Sequence, residues 1–244
     1  MRTTRVFVDL PLAAGVRVAL PDDAANHLVR VLRMQEGDAC VLFNGDGREF
    51  PATLLAANKR GVEAEVGAPR DVGNESPLRL ALVQGIARGE KMDLILQKAT
   101  ELGIAAVHPV QSDRSEVKLD AERAAKRLAH WRCVVVSACE QSGRARVPEV
   151  FAAQPLQAAL TGLDAQAAKF LLDPEATTSI ATIEALRGDV VLAIGPEGGW
   201  SDRDRQALHG AGFVGLRLGP RILRTETAGL AAIAAMQARF GDLR

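Results

Sequence analysis

The chain has few cysteines, no long apolar run and no excess of charge of either sign. Its three cysteines are too few and too scattered for a disulfide framework or a zinc site. Cys133 and Cys139 stand among valines and alanines, so both thiols are expected to be buried. No run approaches the roughly 20 apolar residues of a membrane span, and the chain start has no apolar signal-peptide core. We therefore expect a soluble, reduced, cytoplasmic protein with no metal and no membrane association.

The charge balance limits how the chain could bind nucleic acid, and two missing motifs exclude two classes of nucleotide-binding enzyme. Thirty basic residues balance thirty acidic ones, so a nucleic-acid partner would require basic residues gathered on one face. No G-x-G-x-x-G follows an early strand, as a nucleotide-dependent dehydrogenase requires, and no G-x-x-x-x-G-K-[ST] is present. The 244 residues are 48% hydrophobic, which is sufficient for one large or two modest buried cores.

The first seventy residues have the pattern of a small β-barrel. Asn44–Gly47 is a strong hairpin-turn sequence, and it separates the apolar segments Ala39–Phe43 and Glu49–Leu55. Gly61–Val66 alternates apolar and acidic residues, as a half-buried strand does. Asp22 is expected to cap one helix within this region. Residues 1–71 are therefore predicted to form a β-domain of ordinary size.

The remaining residues, 72–244, alternate between strand and helix patterns after the Gly- and Pro-rich segment Gly67–Pro77, which is typical of a linker. The predicted strands are Leu78–Val83, Ala105–Val110, Phe170–Leu172, Val190–Ile194 and Val214–Leu218, and the predicted helices are Lys91–Leu102, Asp120–Ala138, Asp202–Gly210 and Glu226–Phe240. Such alternation indicates an α/β domain whose parallel sheet is covered on both faces.

Two strand–glycine loop–helix segments stand close together near the end of the chain. In Ile194–Ser201, an apolar strand leads into three glycines, and Ser201 is expected to cap the next helix. In Leu218–Ala228, a strand leads into Gly-Pro and two arginines, with Thr225 as the expected N-cap. Taken alone, the first segment is equally consistent with a ligand-binding loop and with a tight strand–helix connection without a ligand. The alternative for the second segment is that its arginines form structural ion pairs. Together the two segments favour one shared ligand pocket at a sheet edge.

Five segments together resemble a known family. They are His27–Met34, Gln97–Gly103, Glu140–Arg144, Gly195–Ser201 and Leu218–Ala228. The last two resemble the cofactor loops of the SPOUT methyltransferases. The full set, in this order, resembles the ribosomal RNA small subunit methyltransferase E family, which methylates N3 of a 16S rRNA uridine. Two departures are a different charge placement in Ala87–Asp93 and the lack of tyrosine, a common base-stacking residue.

The resemblance implies a fold that periodicity could not supply. Strand and helix patterns alone favour an ordinary doubly wound sheet, because true knots are very rare. The resemblance instead implies a trefoil-knotted SPOUT methyltransferase domain with a parallel sheet, preceded by a PUA-like β-barrel. It also implies S-adenosylmethionine as cofactor, 16S rRNA or the small ribosomal subunit as partner, and a homodimer. The alternatives are a ribose 2′-O-methyltransferase of the same superfamily and a non-catalytic RNA-binding module.

Within that framework, apolar side chains and close backbone would hold the cofactor. The candidates are Leu172, Ile194, Gly195, Glu197, Gly198, Leu218, Gly219 and Leu223. For Glu197, three explanations remain open: a ribose contact, a charge opposite the sulfonium, and a structural ion pair. Uridine N3 must lose or share its proton, so we expect Arg224 to stabilise the anion and Glu226 to accept the proton. The helix dipole explains Glu226 equally well.

RNA-binding candidates are mainly arginines, whose planar fork suits phosphate. They are Arg30, Arg33, Arg88, Arg114, Arg144 and Arg221, with Arg2 and Arg5 as further possibilities in the barrel. Gln141 and Ser142 either bind the uracil edge or cap the preceding helix.

Overall fold

Two sheets of different character organise the chain, one mainly antiparallel and one parallel. The computed structural model describes residues 3–58, 61–116, 120–186 and 188–243. One unit comprises the chain up to Glu75 together with Cys139–Val147, and the other comprises Ser76–Ala138 and Pro148–Arg244. The predicted division at residue 71 used two continuous segments. It did not include the return of Cys139–Val147, because no local pattern indicates that this segment packs with the N-terminal residues.

The first unit contains the six-stranded sheet. Its strands are β1 (Arg5–Phe7), β2 (Arg17–Ala19), β3 (Ala39–Phe43), β4 (Arg48–Asn58), β5 (Gly61–Val66) and β6 (Arg70–Asp71). The order is β1-β3-β4-β5-β2, with β6 beside β4; only the β1–β3 pairing is parallel. The predicted alternation in β5 is confirmed, since Val62, Ala64 and Val66 are buried and join one core.

The predicted helix after Pro21 is shorter and less regular than expected. Helix α1 (Asp22–Asn26) has Pro21 as its N-cap, so the prediction of a capping Asp22 is wrong. The chain continues as a π-helical turn over His27–Val31 and reaches Arg33 with a φ of +56°, a conformation that ends helices. The linker prediction is also incomplete, because Arg70–Asp71 forms β6.

The second unit contains the parallel sheet and the longer helices. Its strands are β7 (Leu80–Gly85), β8 (Ile104–Gln111), β9 (Glu149–Val150), β10 (Gln154–Pro155), β11 (Ala168–Leu172), β12 (Val190–Ile194) and β13 (Val214–Leu216). Its helices are α2 (Glu90–Glu101), α3 (Ala121–Ser142), α4 (Leu156–Thr161), α5 (Asp202–Gly210) and α6 (Thr225–Phe240). Helix α3 ends in the segment that belongs to the first unit. The sequence did not predict β9, β10 and α4, because the alanine-rich segment around them has no clear period.

Strand β12 lies in the middle of the second sheet, whose order is β10-β8-β7-β12-β11-β13, with β9 beside β8. All pairings are parallel, as predicted. Every residue of β12 is buried, which explains its unbroken apolar sequence. Because β7, β11 and β12 end at the same edge, the segments that follow them converge there.

The two thiols that were expected to be buried differ in their exposure. Cys139 is buried, but Cys133 is exposed on α3, so the expectation for Cys133 is wrong. Neighbouring helix residues point in different directions, so Cys133 is exposed on α3 although Val135, two positions later, is buried. Over the residues described here, no helix is long and apolar enough to cross a membrane, and no group of three metal-ligating side chains is present.

Candidate active site

A cavity of about 450 Å³ opens at the carboxyl edge of the parallel sheet. Three chain segments form most of its wall: the residues after β11, the glycine loop after β12, and the loop between β13 and α6. The predicted residues that line it are Leu172, Ile194, Gly195, Glu197, Leu218, Gly219, Arg221, Leu223, Arg224 and Glu226. Gly198, predicted as a cofactor contact, is not part of this wall. The two loops that the sequence singled out therefore do form one pocket.

The glycine loop after β12 is a tight turn. A Cβ on Gly195 would lie 3.1 Å from Trp200 N and from Gly199 atoms, so a larger residue would press on the loop backbone. Gly199 has a φ of +66° and donates from its N–H to Pro196 O. The predicted Ser201 cap is confirmed, since its hydroxyl accepts from Asp204 N at 3.0 Å while the Asp204 carboxylate accepts from Ser201 N.

The second loop is joined to the first by Thr225. The N-cap of α6 is Arg224 and makes no side-chain cap, so the prediction of Thr225 as N-cap is wrong. Thr225 is the first helical residue, and its hydroxyl donates instead to Gly195 O at 2.6 Å. A threonine at a helix start normally satisfies the helix N–H groups. Here it connects two separate loops.

The cavity wall carries a cation between two carboxylates. Lys91 Nζ lies 3.2 Å from Glu197 Oε1 and 4.0 Å from Glu226 Oε2. Partial burial tends to raise the pKa of Glu197, but hydrogen bonds from Arg88 N and Lys91 outweigh it and lower that pKa below its ordinary value. Of the three explanations for Glu197, the structure shows the ion pair. The Glu197 carboxylate thus remains charged and orients Lys91.

Polar groups that the sequence did not identify also line the cavity. Arg205 Nη1 pairs with Asp173 Oδ2 at 2.7 Å, and both residues face the pocket. Asp173 follows directly after β11 at the carboxyl edge of the sheet, a position that could have indicated it. Two buried atoms, Trp200 Nε1 and Glu226 Oε2, have no hydrogen-bond partner among the described residues. Such atoms are a donor and an acceptor that a ligand can satisfy.

The predicted RNA contacts lie in both units. In the second unit, Arg88 is exposed and paired with Glu116, and Arg114 Nη1 donates to Gly198 O at 3.1 Å. Arg221 is exposed on the cavity wall. In the first unit, Arg30 and Arg33 are exposed, and Arg5 pairs with Glu49. Arg2 lies outside the described residues.

Three of the predicted RNA contacts lie at or just after the end of α3. Gln141 and Ser142 form its last turn and belong to the first unit, with Arg144 shortly after them. Arg144 is only 5% exposed, and its guanidinium pairs with Glu75 at 2.5 Å. A guanidinium buried against a carboxylate has no free edge for phosphate. This placement argues against Arg144 as an RNA contact.

Known proteins match the chain in both units. The family model for an RNA methyltransferase domain matches residues 74–237, and that for an RNA methyltransferase PUA domain matches residues 20–67. The parallel sheet with its edge pocket and the preceding β-sheet unit thus define an RNA methyltransferase with a PUA domain. The fold class is the SPOUT type with a PUA-like domain, as predicted.

Full-length relatives specify the family. The ribosomal RNA small subunit methyltransferase E of Bacillus subtilis is 33% identical, over 98% of both chains. The chain belongs to the ribosomal RNA small subunit methyltransferase E family.

Two solved structures are similar over their whole length. The Neisseria gonorrhoeae enzyme of this family, bound to S-adenosyl methionine, has 41% identity and a TM-score of 0.93, with 100% of both chains covered. A Legionella pneumophila methyltransferase in complex with the cofactor SAM has 38% identity and a TM-score of 0.94, with the same coverage.

The residues of the cavity fit such a cofactor. Leu172, Ile194 and Leu218 offer an apolar surface for a base, and the close backbone at Gly195 offers polar groups to read its edge. The volume is in the range of pockets for ligands of this size, roughly 300–1,000 Å³.

Proposed function

We propose that this chain transfers a methyl group from S-adenosylmethionine to N3 of a uridine in 16S rRNA of the small ribosomal subunit. The observation that carries the proposal is the single cavity formed by the Gly195 loop and the loop before α6. Full-length likeness to relatives named ribosomal RNA small subunit methyltransferase E, and to a structure with bound S-adenosyl methionine, supports it.

S-adenosylmethionine supplies a methyl group on a sulfonium, which is already electrophilic, so this chain's residues have to bind, orient and deprotonate. Leu172, Ile194, Leu218 and Leu223 would hold the adenine between apolar side chains. Trp200 Nε1 provides a buried donor in the same wall. Alignment of donor and acceptor is the main source of acceleration in such a transfer.

Glu226 is the proposed proton acceptor for uridine N3. Its Oε2 atom is buried in the cavity wall without a hydrogen-bond partner among the described residues, so it can accept a proton from a bound base. Lys91 lies 4.0 Å away and compensates the negative charge. Arg224, exposed immediately before α6, is the proposed cation that stabilises the uridine anion at its oxygens.

Substrate RNA would contact both units. We propose residues 1–71 as the PUA-like RNA-binding domain, with the exposed Arg30 and Arg33 at phosphates, and residues 72–244 as the methyltransferase domain. Arg88, Arg114 and Arg221 are the proposed contacts of the second domain. We also propose a homodimer, which the family resemblance implies, and a cytoplasmic location, which an rRNA substrate would require.

The test is methyl transfer to 16S rRNA from cells that lack this enzyme, offered both as naked rRNA and within small subunits. Nuclease digestion and mass spectrometry identify the product. We expect one N3-methyluridine per rRNA. A 2′-O-methylated product would favour the ribose methyltransferase, and cofactor-independent RNA binding without a product would favour the non-catalytic module.

A further inference from the structure

Gln84 is a polar residue in a strand that is otherwise apolar. It occupies the penultimate position of β7, is completely buried, and pairs in register with Ile194 of β12. Gln84 is not part of the cavity wall. Burying a side-chain amide at the centre of a parallel sheet is costly unless it is hydrogen-bonded. Among the described residues, the Gln84 nitrogen has partners, whereas its buried Oε1 atom has none. The partners of the nitrogen therefore indicate what Gln84 does.

The Gln84 amide nitrogen donates two hydrogen bonds, one of them to a residue of the cavity wall. Nε2 donates to Gly85 O at 2.8 Å and to Thr225 Oγ1 at 3.0 Å. The orientation is fixed chemically, because a carbonyl such as Gly85 O can only accept. The single proton of Thr225 goes to Gly195 O, so its hydroxyl can only accept from Gln84. The result is a directed chain from Gln84 through Thr225 to Gly195.

These two hydrogen bonds, from Gln84 to Thr225 and from Thr225 to Gly195, join three segments that are distant in sequence. Gln84 belongs to β7, Thr225 begins α6, and Gly195 begins the glycine loop after β12. Glu226 directly follows Thr225. The distance between the proposed proton acceptor and the cofactor loop is thus set by two hydrogen bonds, and one of them depends on Gln84.

We propose that Gln84 is a positioning residue for methyl transfer, acting through Thr225 to hold the start of α6 against the Gly195 loop. The inference rests on the proposed function, since it assigns Gly195 to the methyl donor and Glu226 to the acceptor. Loss of the Gln84 bond leaves the apolar cofactor wall intact but loosens the register between the two reactants. The turnover number should fall while cofactor affinity is retained.

The key variants are Gln84→Met, which preserves side-chain length without hydrogen bonds, and Thr225→Val, which removes the hydroxyl. Gln237→Met is the matched control. Gln237 is the same residue type, is also completely buried, and bonds Ser76 and Leu102 near the other end of α6. We measure kcat on 16S rRNA within small subunits and the Kd of S-adenosylmethionine by calorimetry, both below the unfolding transition. Stability is measured separately by urea unfolding.

A misplacement near 1 Å typically lowers rates by about 100-fold, so Gln84→Met is expected to lower kcat by about 10- to 100-fold. The Kd of S-adenosylmethionine should change by less than about threefold, because the apolar wall that holds the cofactor stays intact. Thr225→Ser should recover at least about tenfold of the loss in Thr225→Val. The double variant should be no slower than the slower single variant, because the two residues act as one chain. Gln237→Met should lower stability with kcat within about twofold of wild type.

Equal losses of kcat in Gln84→Met and Gln237→Met would overturn the inference, as would additive losses in the double variant. If Gln84→Met does not fold, the comparison of Thr225→Ser with Thr225→Val still tests the proposal. Equal activity of those two variants would refute a role for the hydrogen bonds through Thr225. Wild-type protein that fails to methylate rRNA refutes the proposed function and the inference together. If the wild type methylates rRNA and Gln84→Met has the same kcat, only the inference about Gln84 is refuted.

Discussion

The contact of Gly85 with the cofactor loop gives the sharpest prediction. A Cβ built on Gly85 would lie 2.5 Å from both Pro196 N and Pro196 Cδ. Ordinary contact begins at 3.4 Å, so Gly85→Ala requires the Gly195–Pro196 backbone to retreat by about 0.9 Å. Overpacking of this kind destabilises by about 1–3 kcal/mol. A shift near 1 Å in the loop should also weaken S-adenosylmethionine binding by at least about tenfold, or 1.4 kcal/mol.

Gly229→Ala is the control, and it is expected to raise stability where Gly85→Ala lowers it. Its Cβ would lie 3.6 Å from Ile194 Cγ1 and 3.7 Å from Gln84 Oε1, which is ordinary contact. Gly229 is inside helix α6, where alanine is favoured over glycine by about 0.8–1.0 kcal/mol. The variant should therefore be more stable than wild type, with unchanged cofactor affinity.

Urea unfolding and calorimetry with S-adenosylmethionine measure both quantities. The reasoning predicts a loss of stability and affinity for Gly85→Ala and a gain of stability for Gly229→Ala. A Gly85→Ala protein with wild-type stability and cofactor affinity would refute the close approach of β7 to the glycine loop.

Three further predictions concern charge. Glu226→Gln removes the proposed proton acceptor and should lower kcat by about 10²–10⁴-fold with cofactor affinity retained; activity within twofold of wild type would exclude this role. Arg221→Gln should weaken RNA binding and reduce the slope of log K against log salt by about 1, and an unchanged slope in filter binding would remove Arg221 from the interface. Burial raises the pKa of Glu140 above its ordinary 4.5, so its charge opposes folding as pH rises through the folded pKa. Glu140→Gln should therefore stabilise at pH 7, with the gain vanishing below about pH 4 in urea titrations; a gain that persists there would contradict the burial argument.

The sequence predicted the parts of the fold that depend on neighbouring residues. The β5 alternation, the Asn44–Gly47 turn and the Ser201 cap are local patterns, and each was confirmed. The glycine loops were found for the same reason, since a strand that leads into glycines is visible within ten residues. Their meeting in one cavity followed from the rule for parallel sheets.

Features that depend on strand order could not be predicted from residues alone. The Lys91–Glu197 pair and the Gln84–Thr225 bond join residues more than one hundred positions apart. These residues come together because β7 and β12 are neighbouring strands of the sheet. No local pattern states that these strands are neighbours. Arg144 was assigned to RNA because a loop arginine is usually exposed. Its burial follows from the packing of Cys139–Val147 with the first unit.

That returning segment has a consequence for the order of events during synthesis. Domains usually fold as soon as they leave the ribosome, beginning with the N-terminal one. Here Phe7 N donates to Glu140, and Glu75 pairs with Arg144, so the β-sheet unit lacks these partners until Cys139–Val147 has been made. By then β7, α2 and β8 of the second unit have already been translated. A fragment that stops after Glu75 is thus an incomplete domain, and the nascent chain must keep its first unit unfinished while the second is being built.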